Sequence, residues 1–415
     1  MTSMYRGAFL RHWKEIAVSF LKLGATAYGG PAITGVIQAE IQEKRQWVSK
    51  AHFIEGIALA NLLPGAGLVQ LSTFLGHARG GWWGGVLAGL CFVLPGLGIM
   101  LALTLTYAHL GATPIMRSGL DGLGPVVLGI FVVAVSRLGR AAVTTLPQLL
   151  IALTAAAALA CSALGIVAML ALAAGGGIWL WHSRRMGTAV LLVLLALLAL
   201  RDGALGFPGV LLPSGAPATA LAAPASLTAL GLFFFKAGAL TFGGGTGIIA
   251  LIQDQVVQQW HWLTPQEFLD GLALGQCTPG PVLVVTAYIG YKMAGLAGAG
   301  VAAIASFLPS FIFMLAILPM FDRVRTLGWI TAAMRGVGPA VSGMFAVTLA
   351  RMAPPALSDL WALALLVATV IALVVCRMGA VKLMLAGAMV GVLRSRLSAL
   401  RGVKAALAIR LWAKV

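Results

Sequence analysis

Two lysines lie where an apolar chain would least tolerate them. Lys22 sits in Phe20-Leu21-Lys22-Leu23-Gly24 and Lys236 in Phe234-Phe235-Lys236-Ala237-Gly238. Each precedes a glycine cluster, Gly29-Gly30-Pro31 in one case and Gly243-Gly244-Gly245 in the other. An ammonium buried in an apolar segment attracts an anion directly, although a lysine near a helix end also snorkels to the headgroups. Pro31 cannot continue a regular helix and three glycines hold one poorly, so both clusters predict a helix break. A broken helix presents backbone N–H groups and the positive dipole end at the start of its second half, a ready site for an oxyanion. Close helix packing is the plainer use of glycine, but proline and glycine fall at the same place, which favours the break.

A second pair of interruptions follows in Asn61-Leu62-Leu63-Pro64-Gly65 and Gln276-Cys277-Thr278-Pro279-Gly280-Pro281. Each has an amide side chain three residues before a proline. Backbone freed by proline inside an apolar segment has to be satisfied by a cavity, water or ligand. The candidate substrate-binding set is therefore Lys22, Gly29, Gly30, Asn61, Pro64 and Gly65, with Lys236, Gly243, Gly244, Gly245, Gln276, Pro279, Gly280 and Pro281 as its counterpart. Glu55 and Asp270 open the segments carrying the second break and are candidates to pair with the lysines or to carry a proton. Arg137 and Arg351 close the fourth segment of each copy as candidate gating residues, with interface anchoring the simpler role. Glu40 and Asp254 end the first segments, and Glu40 reads as a solvated loop carboxylate near Lys44 and Arg45. Asp121 aligns with Arg335, opposite charges suited to a pair across a twofold axis.

All of these residues occur twice because the chain says nearly the same thing twice. The offset is 214 residues for Lys22 and Lys236, Pro95 and Pro309, and Arg137 and Arg351. It slips to 215 between Glu55 and Gly65, and Gly76 with Gly290 restores it. A repeat that preserves lysines, carboxylates and glycine pairs inside apolar sequence has the form of a duplicated membrane transport site.

The elements that must position these residues are helices. Hydrophobic residues make up 60% of the chain and charged residues 9%, with mean hydropathy +0.99. A soluble domain is about 45–50% apolar and about 25% charged, so the chain reads as an integral membrane protein. Its apolar runs are long and continuous, unlike the short alternating segments of a membrane β-barrel. Candidate spans fall near 16–39, 52–78, 82–109, 119–136, 141–160, 162–181 and 187–200 in the first half. In the second they fall near 227–252, 266–291, 296–320, 328–350, 358–376 and 378–393. The fold expected is thus an all-α polytopic membrane protein of about thirteen transmembrane segments in two homologous halves with broken helices. Seven spans separate equivalent points, and an odd number inserts the second copy upside down; the inference rests on the short span at 187–200. The organisation expected is a first repeat over 1–200 (core 16–140), a linker over 201–226 and a second repeat over 227–393 (core 230–352). A basic amphipathic tail over 394–415 would lie on the membrane surface.

A formal net charge of +17 raises nucleic acid as a partner, but the basic residues fall in short loops and at both ends, so none is expected. Arg6, Arg11, Lys14, Arg79, Arg137, Arg140, Arg184, Arg185, Arg323, Arg325 and Arg377 lie in alternate loops including the N-terminus, which favours a cytoplasmic N-terminus. The basic tail, placed outside by an odd span count, conflicts with that rule. The six histidines are scattered with no HExxH, the four cysteines show no CxxC, and no Walker motif appears. Neither an enzyme, nor a metal site, nor a cofactor is expected.

The residues quoted above resemble the chromate ion transporter family in its long form with two homologous halves. The matching features are Phe-x-Lys-x-Gly followed by Tyr/Phe-Gly-Gly, the tryptophan-led turn into Phe53-Ile54-Glu55-Gly56 and Phe268-Leu269-Asp270-Gly271, and the later Pro-Gly elements. The resemblance covers residues 16–140 and 230–352. It implies a bacterial inner-membrane protein that exports chromate and confers chromate resistance, with sulfate as the chemical analogue. The lipid bilayer is the other partner, and a homodimer is compatible with the sequence. Two departures mark the first copy, where Pro31 stands in place of a third glycine and Ala66 in place of the second proline of Pro279-Gly280-Pro281. One copy would bind the anion and the other gate it, without a sign of which does which. Two rivals remain: a carrier of sulfate or a related oxyanion, and a membrane scaffold subunit whose glycines serve packing alone.

Overall fold

The computed structural model describes residues 2–26, 28, 31–110, 113–161, 165–201, 226–241, 248–320, 327–357 and 359–412. Among them are helices and no strand. The first half runs α1 (Thr2–Thr26), α2 (Pro31–Ile37, continued by a π-helical stretch Gln38–Lys44), α3 (Lys50–Leu62) and α4 (Gly67–Leu110). It goes on through α5 (Pro114–Ala142), α6 (Leu146–Ala160), α7 (Ile166–Trp181) and α8 (Arg184–Arg201). The second half repeats the order as α9 (Leu227–Ala239), α10 (Ile248–Gln253, with a π-helical stretch Asp254–Gln259), α11 (Pro265–Cys277) and α12 (Val285–Ile317). It closes with α13 (Gly328–Ala356), α14 (Leu360–Val374) and α15 (Ala380–Trp412).

The segments expected as single broken spans instead turn back on themselves. Arg45 and Trp47 return to Glu15 of α1, and Phe233 of α9 meets Trp260 with ring centroids 4.8 Å apart, so each segment folds back against the helix that leads into it. The Pro-Gly breaks are hairpin tips in the same way. A Cβ on Gly56 would lie 2.6 Å from the Phe74 ring, and one on Gly271 would lie 2.4 Å from the Tyr288 ring. Arms such as α3 and α11, each 13 residues and so about 20 Å long, are too short to cross the roughly 30 Å of hydrocarbon. They enter and return. Proline and glycine mark a change of direction here, whereas the sequence pattern shows only that the helix stops.

A further reversal closes each hairpin. Inside α4, Gly80 and Gly81 leave helical geometry, Gly81 at φ 64°; inside α12, Ala294 and Gly295 do the same, Gly295 at φ 60°. The left-handed residue lets the chain double back, and only glycine takes it without strain. The second arm of α4, from residue 82, is the one long enough to cross. Among the described residues four helical stretches are long and apolar enough to span: Gly67–Leu110, Met116–Ala142, Val282–Met320 and Gly328–Ala356. Four shorter apolar helices accompany them.

The two halves are inverted, as expected. Gly85 packs against Leu315 and Gly89 against Phe311, so position rises along α4 as it falls along α12. Equivalent helices therefore run antiparallel, as they do only when the twofold axis lies in the membrane plane. The same holds for α5 and α13, where Phe131 meets Phe345 and Gly124 approaches Ala356. The stretch 187–200, on which the count rested, lies within the 18-residue helix α8.

The halves are also interlocked. α5 packs on α14 and α15 of the second half, and α13 packs on α6 and α7 of the first. A Cβ on Gly122 of α5 would lie 2.2 Å from the Gly387 carbonyl oxygen, and one on Gly336 of α13 would lie 2.0 Å from that of Ala173. These crossings bring backbone against backbone, the packing mode that gains most between membrane helices. Residues 202–225, most of the expected linker, lie outside the described residues. α15 runs unbroken through residue 394, where the tail was expected to begin.

Candidate functional site

Lys22 lies four residues before the end of α1 and Lys236 three before the end of α9. Their depth is set by the glycine two residues on. A Cβ on Gly24 would lie 2.3 Å from the Phe92 carbonyl oxygen, and one on Gly238 would lie 2.0 Å from that of Ser306. Phe92 and Ser306 are equivalent residues close to the crossing of α4 and α12. Both lysines therefore sit close to the level of that crossing. The buried stripe Ile16, Phe20, Leu23 and Gly24 turns Lys22 to the open face of α1, while Lys236 is half-buried.

The hairpin tips reach the same level and cross the repeat boundary. Gly65 N–H donates to the Thr241 carbonyl at 2.7 Å, and Ala66 N–H donates to the Ser310 hydroxyl at 2.8 Å. Gln70 Nε2 donates to the Pro64 carbonyl at 2.7 Å. From the other side, the Pro279 carbonyl oxygen presses on Gly96, where a Cβ would lie 2.3 Å away. Gly96 and Ser310 are equivalent, so each tip rests on the same place in the opposite half. Both tips need glycine, Gly65 at φ 132° and Gly280 at φ 95°. Asn61 is exposed and Gln276 half-buried on the arms leading in. Gly29, Gly30, Gly243, Gly244 and Gly245 lie outside the described residues; Thr241, which receives the first tip, stands two residues before Gly243 in the sequence.

The carboxylates stand away from the tips, at the outer ends of the hairpins. Asp270 is buried and accepts the Tyr107 hydroxyl at 2.9 Å and Gln266 Nε2 at 3.1 Å. They line a cavity of about 590 Å³ with Arg117, Asp121 and Lys292. Beside it Lys292 pairs with Glu267 at 2.7 Å. Glu55, the counterpart of Asp270, lies at the opposite end of the molecule, 3.1 Å from His52 Nδ1. Among the described residues Asp270 is engaged by Tyr107 and Gln266 and by neither lysine. Asp121 and Arg335 do not meet either: each lies ten residues before the Phe131–Phe345 crossing on antiparallel helices, roughly 30 Å apart along the axes.

The two candidate arginines part company. Arg351 bonds Asp254 at 3.1 Å and the Leu159 carbonyl at 2.7 Å, tying the π-helical stretch of the second half to the end of α6 in the first. Arg137 is exposed. Its side of the duplication uses another tie, in which Glu40 accepts from Arg45 at 2.9 Å and from Lys44 at 3.3 Å. Glu15 adds to it by accepting from Trp47, Arg79 and Arg45. Tyr107, Gln266, Gln70 and Ser310 carry contacts of the site without being repeated in the other half. Their counterparts Phe321, Ala51, Val284 and Gly96 are different in kind, so a search for repeated residues has no signal for them.

Antiparallel equivalent helices, hairpins that enter and return, and tips meeting at mid-depth define a helical membrane transporter with an inverted repeat. The family described as Chromate transporter matches residues 14–180 and 228–392, and the chain belongs to it. It is 34% identical over 332 residues to a chromate transport protein of Cupriavidus metallidurans, covering 80% of each chain. A probable chromate transport protein of Synechococcus elongatus is 33% identical over 356 residues, covering 84% of this chain and 86% of its own. A chromate transport protein of Pseudomonas aeruginosa is 31% identical over 343 residues, covering 81% and 80%. These relatives are named for transport, which places the chain among transporters and not enzymes. No solved structure gives a significant match.

Proposed function

We propose that the protein exports chromate from the cytoplasm by alternating access around the hairpin tips, with the membrane potential as the main drive. The observation that carries this reading is the meeting of the first tip with Thr241 and Ser310 at mid-depth, level with Lys22 and Lys236. A charged side chain at that depth faces water or a partner and not lipid, so the open face of α1 is a wall of the pathway. Chromate is a tetrahedral dianion, and two ammonium groups with converging helix ends suit it.

The energetics favour export. A dianion leaving a negative interior through 100 mV gains about 4.6 kcal/mol. At about 1.4 kcal/mol per decade, that sustains a gradient of roughly three decades before any ion coupling. Proton exchange would run through Asp270, whose carboxylate shares the Tyr107 hydroxyl, or through Glu55. Arg45 and Arg79 gather around Glu15 of α1, a basic cluster on the N-terminal helix that supports a cytoplasmic N-terminus in the bacterial inner membrane. On this reading the protein confers chromate resistance.

Chromate uptake into inverted vesicles, driven by an imposed potential, is the direct test. Absence of uptake, or uptake indifferent to both Lys22→Ala and Lys236→Ala, would sink the proposal. Sulfate shares the charge and shape of chromate, and its competition for uptake in the same vesicles measures how far the site tells them apart.

A further inference from the structure

The two hairpin tips occupy equivalent places but are held by different means. At the first tip the Ala66 amide donates to the Ser310 hydroxyl, and Gln70 grips the Pro64 carbonyl. At the second tip each of these partners is missing. Pro281 replaces Ala66 and has no N–H, Gly96 replaces Ser310 and has no hydroxyl, and Val284 replaces Gln70. Donor and acceptor are lost together, so the second tip is not the first with one bond broken. Thr278 turns its amide and its hydroxyl inward to the Gly275 carbonyl. Among the described residues no hydrogen bond joins Thr278–Pro281 to the first half; the contact is the Pro279 carbonyl lying against Gly96. The space differs too. A Cβ on Gly65 would lie 2.5 Å from Gln70 Nε2, whereas one on Gly280 would meet nothing within 4 Å.

From this contrast the geometry points to a division of labour between the tips. The first, Leu63–Ala66, is a fixed abutment, and Ser310 is the positioning residue that fixes it. The second, Thr278–Pro281, slides on Gly96 and is the tip that shifts between the inward and outward states. Directional hydrogen bonds resist displacement, and a smooth van der Waals contact with glycine permits it. The inference rests on the transport reading for its purpose, but not for its test.

Amide hydrogen exchange of the full-length protein in nanodiscs, read by mass spectrometry, measures both tips at once. Without substrate, the segment 278–284 is expected to exchange about tenfold or more faster than the segment 63–67, the difference one or two net hydrogen bonds make. Ser310→Ala is expected to raise exchange at Ala66 several-fold and leave Gly280 as it was. Should that variant fail to fold, Gln70→Met, which keeps the volume and removes the grip on Pro64, is expected to act on the same tip. Added chromate is expected to change exchange over residues 280–284 and not over 65–67. Equal rates at the two tips without substrate overturn the proposal, as does a chromate response confined to the first tip. The substrate-free comparison holds whichever anion is carried. Failure of chromate uptake would leave it standing, and equal rates in a transporting protein would overturn the division of labour alone.

Discussion

Phe131 and Phe345, equivalent residues of the two repeats, meet edge to face with ring centroids 5.8 Å apart and planes at 65°. A residue that touches its own counterpart lies on the symmetry axis, and both rings are buried there. Phe131→Ala and Phe345→Ala are each expected to lower stability by about 3–5 kcal/mol, measured by denaturant unfolding in detergent. The double variant is expected to lose less than the sum, because the two deletions open one shared cavity. Strict additivity would mean the rings act independently.

Glycines pressed against a carbonyl oxygen are expected to behave differently from glycines facing open space. Gly24→Ala and Gly238→Ala force α1 from α4 and α9 from α12, with loss of folded protein and of transport. Gly35→Ala and Gly300→Ala, where a Cβ meets nothing within 4 Å, are expected to be neutral or to gain up to about 1 kcal/mol from helix propensity. Thermal melting of the purified variants checks this, and a uniform response across all four would contradict the packing role.

How far the sequence carries the fold is seen in these same residues. The duplication, the helices and the inversion are legible because they depend on long-range periodicity and on parity of spans. The hairpins are not. A Pro-Gly pair shows that a helix stops, while the direction taken afterwards depends on what lies beside it, here Phe74 against Gly56 and Tyr288 against Gly271. The candidate site is half legible for a related reason. Pro64, Gly65, Pro279 and Gly280 recur and reach mid-depth, whereas Ser310 and Gln70 matter because their counterparts do not match them. Glu55 and Asp270 recur too, yet the fold sends them to opposite ends of the molecule.

Arg351 and Arg137 offer a test of the exchanged packing. Removing Arg351 leaves Asp254 buried without its main partner, a loss of about 3–5 kcal/mol in comparable buried pairs. Asp254→Asn is expected to fall in the same range, with the double variant close to either single. Arg137→Ala, at an exposed position, is expected to stay within about 0.5 kcal/mol of the parent. Equal losses at the two arginines would remove the distinction.

The lysines are expected to separate transport from stability. Lys22→Met is expected to cut chromate flux about tenfold or more, a barrier of roughly 1.4 kcal/mol, while leaving the melting temperature near that of the parent because the side chain lies outside the packed core. Lys22→Arg, which keeps the charge, is expected to retain most of the flux. Flux measured per folded molecule is the readout, and a Met variant as active as the Arg variant would show that charge at this depth is not used.

The exchange of helices between halves has a consequence for biogenesis. During synthesis α5 enters the bilayer while α14 and α15, the helices it packs against, are still unmade. Its glycine-rich face must wait in lipid or against the insertion machinery until the chain is nearly complete. The first half therefore has no finished form of its own, and truncation after α8 is expected to leave a proteolysis-prone fragment. Two separately encoded halves would have to find each other in opposite orientations before either could mature.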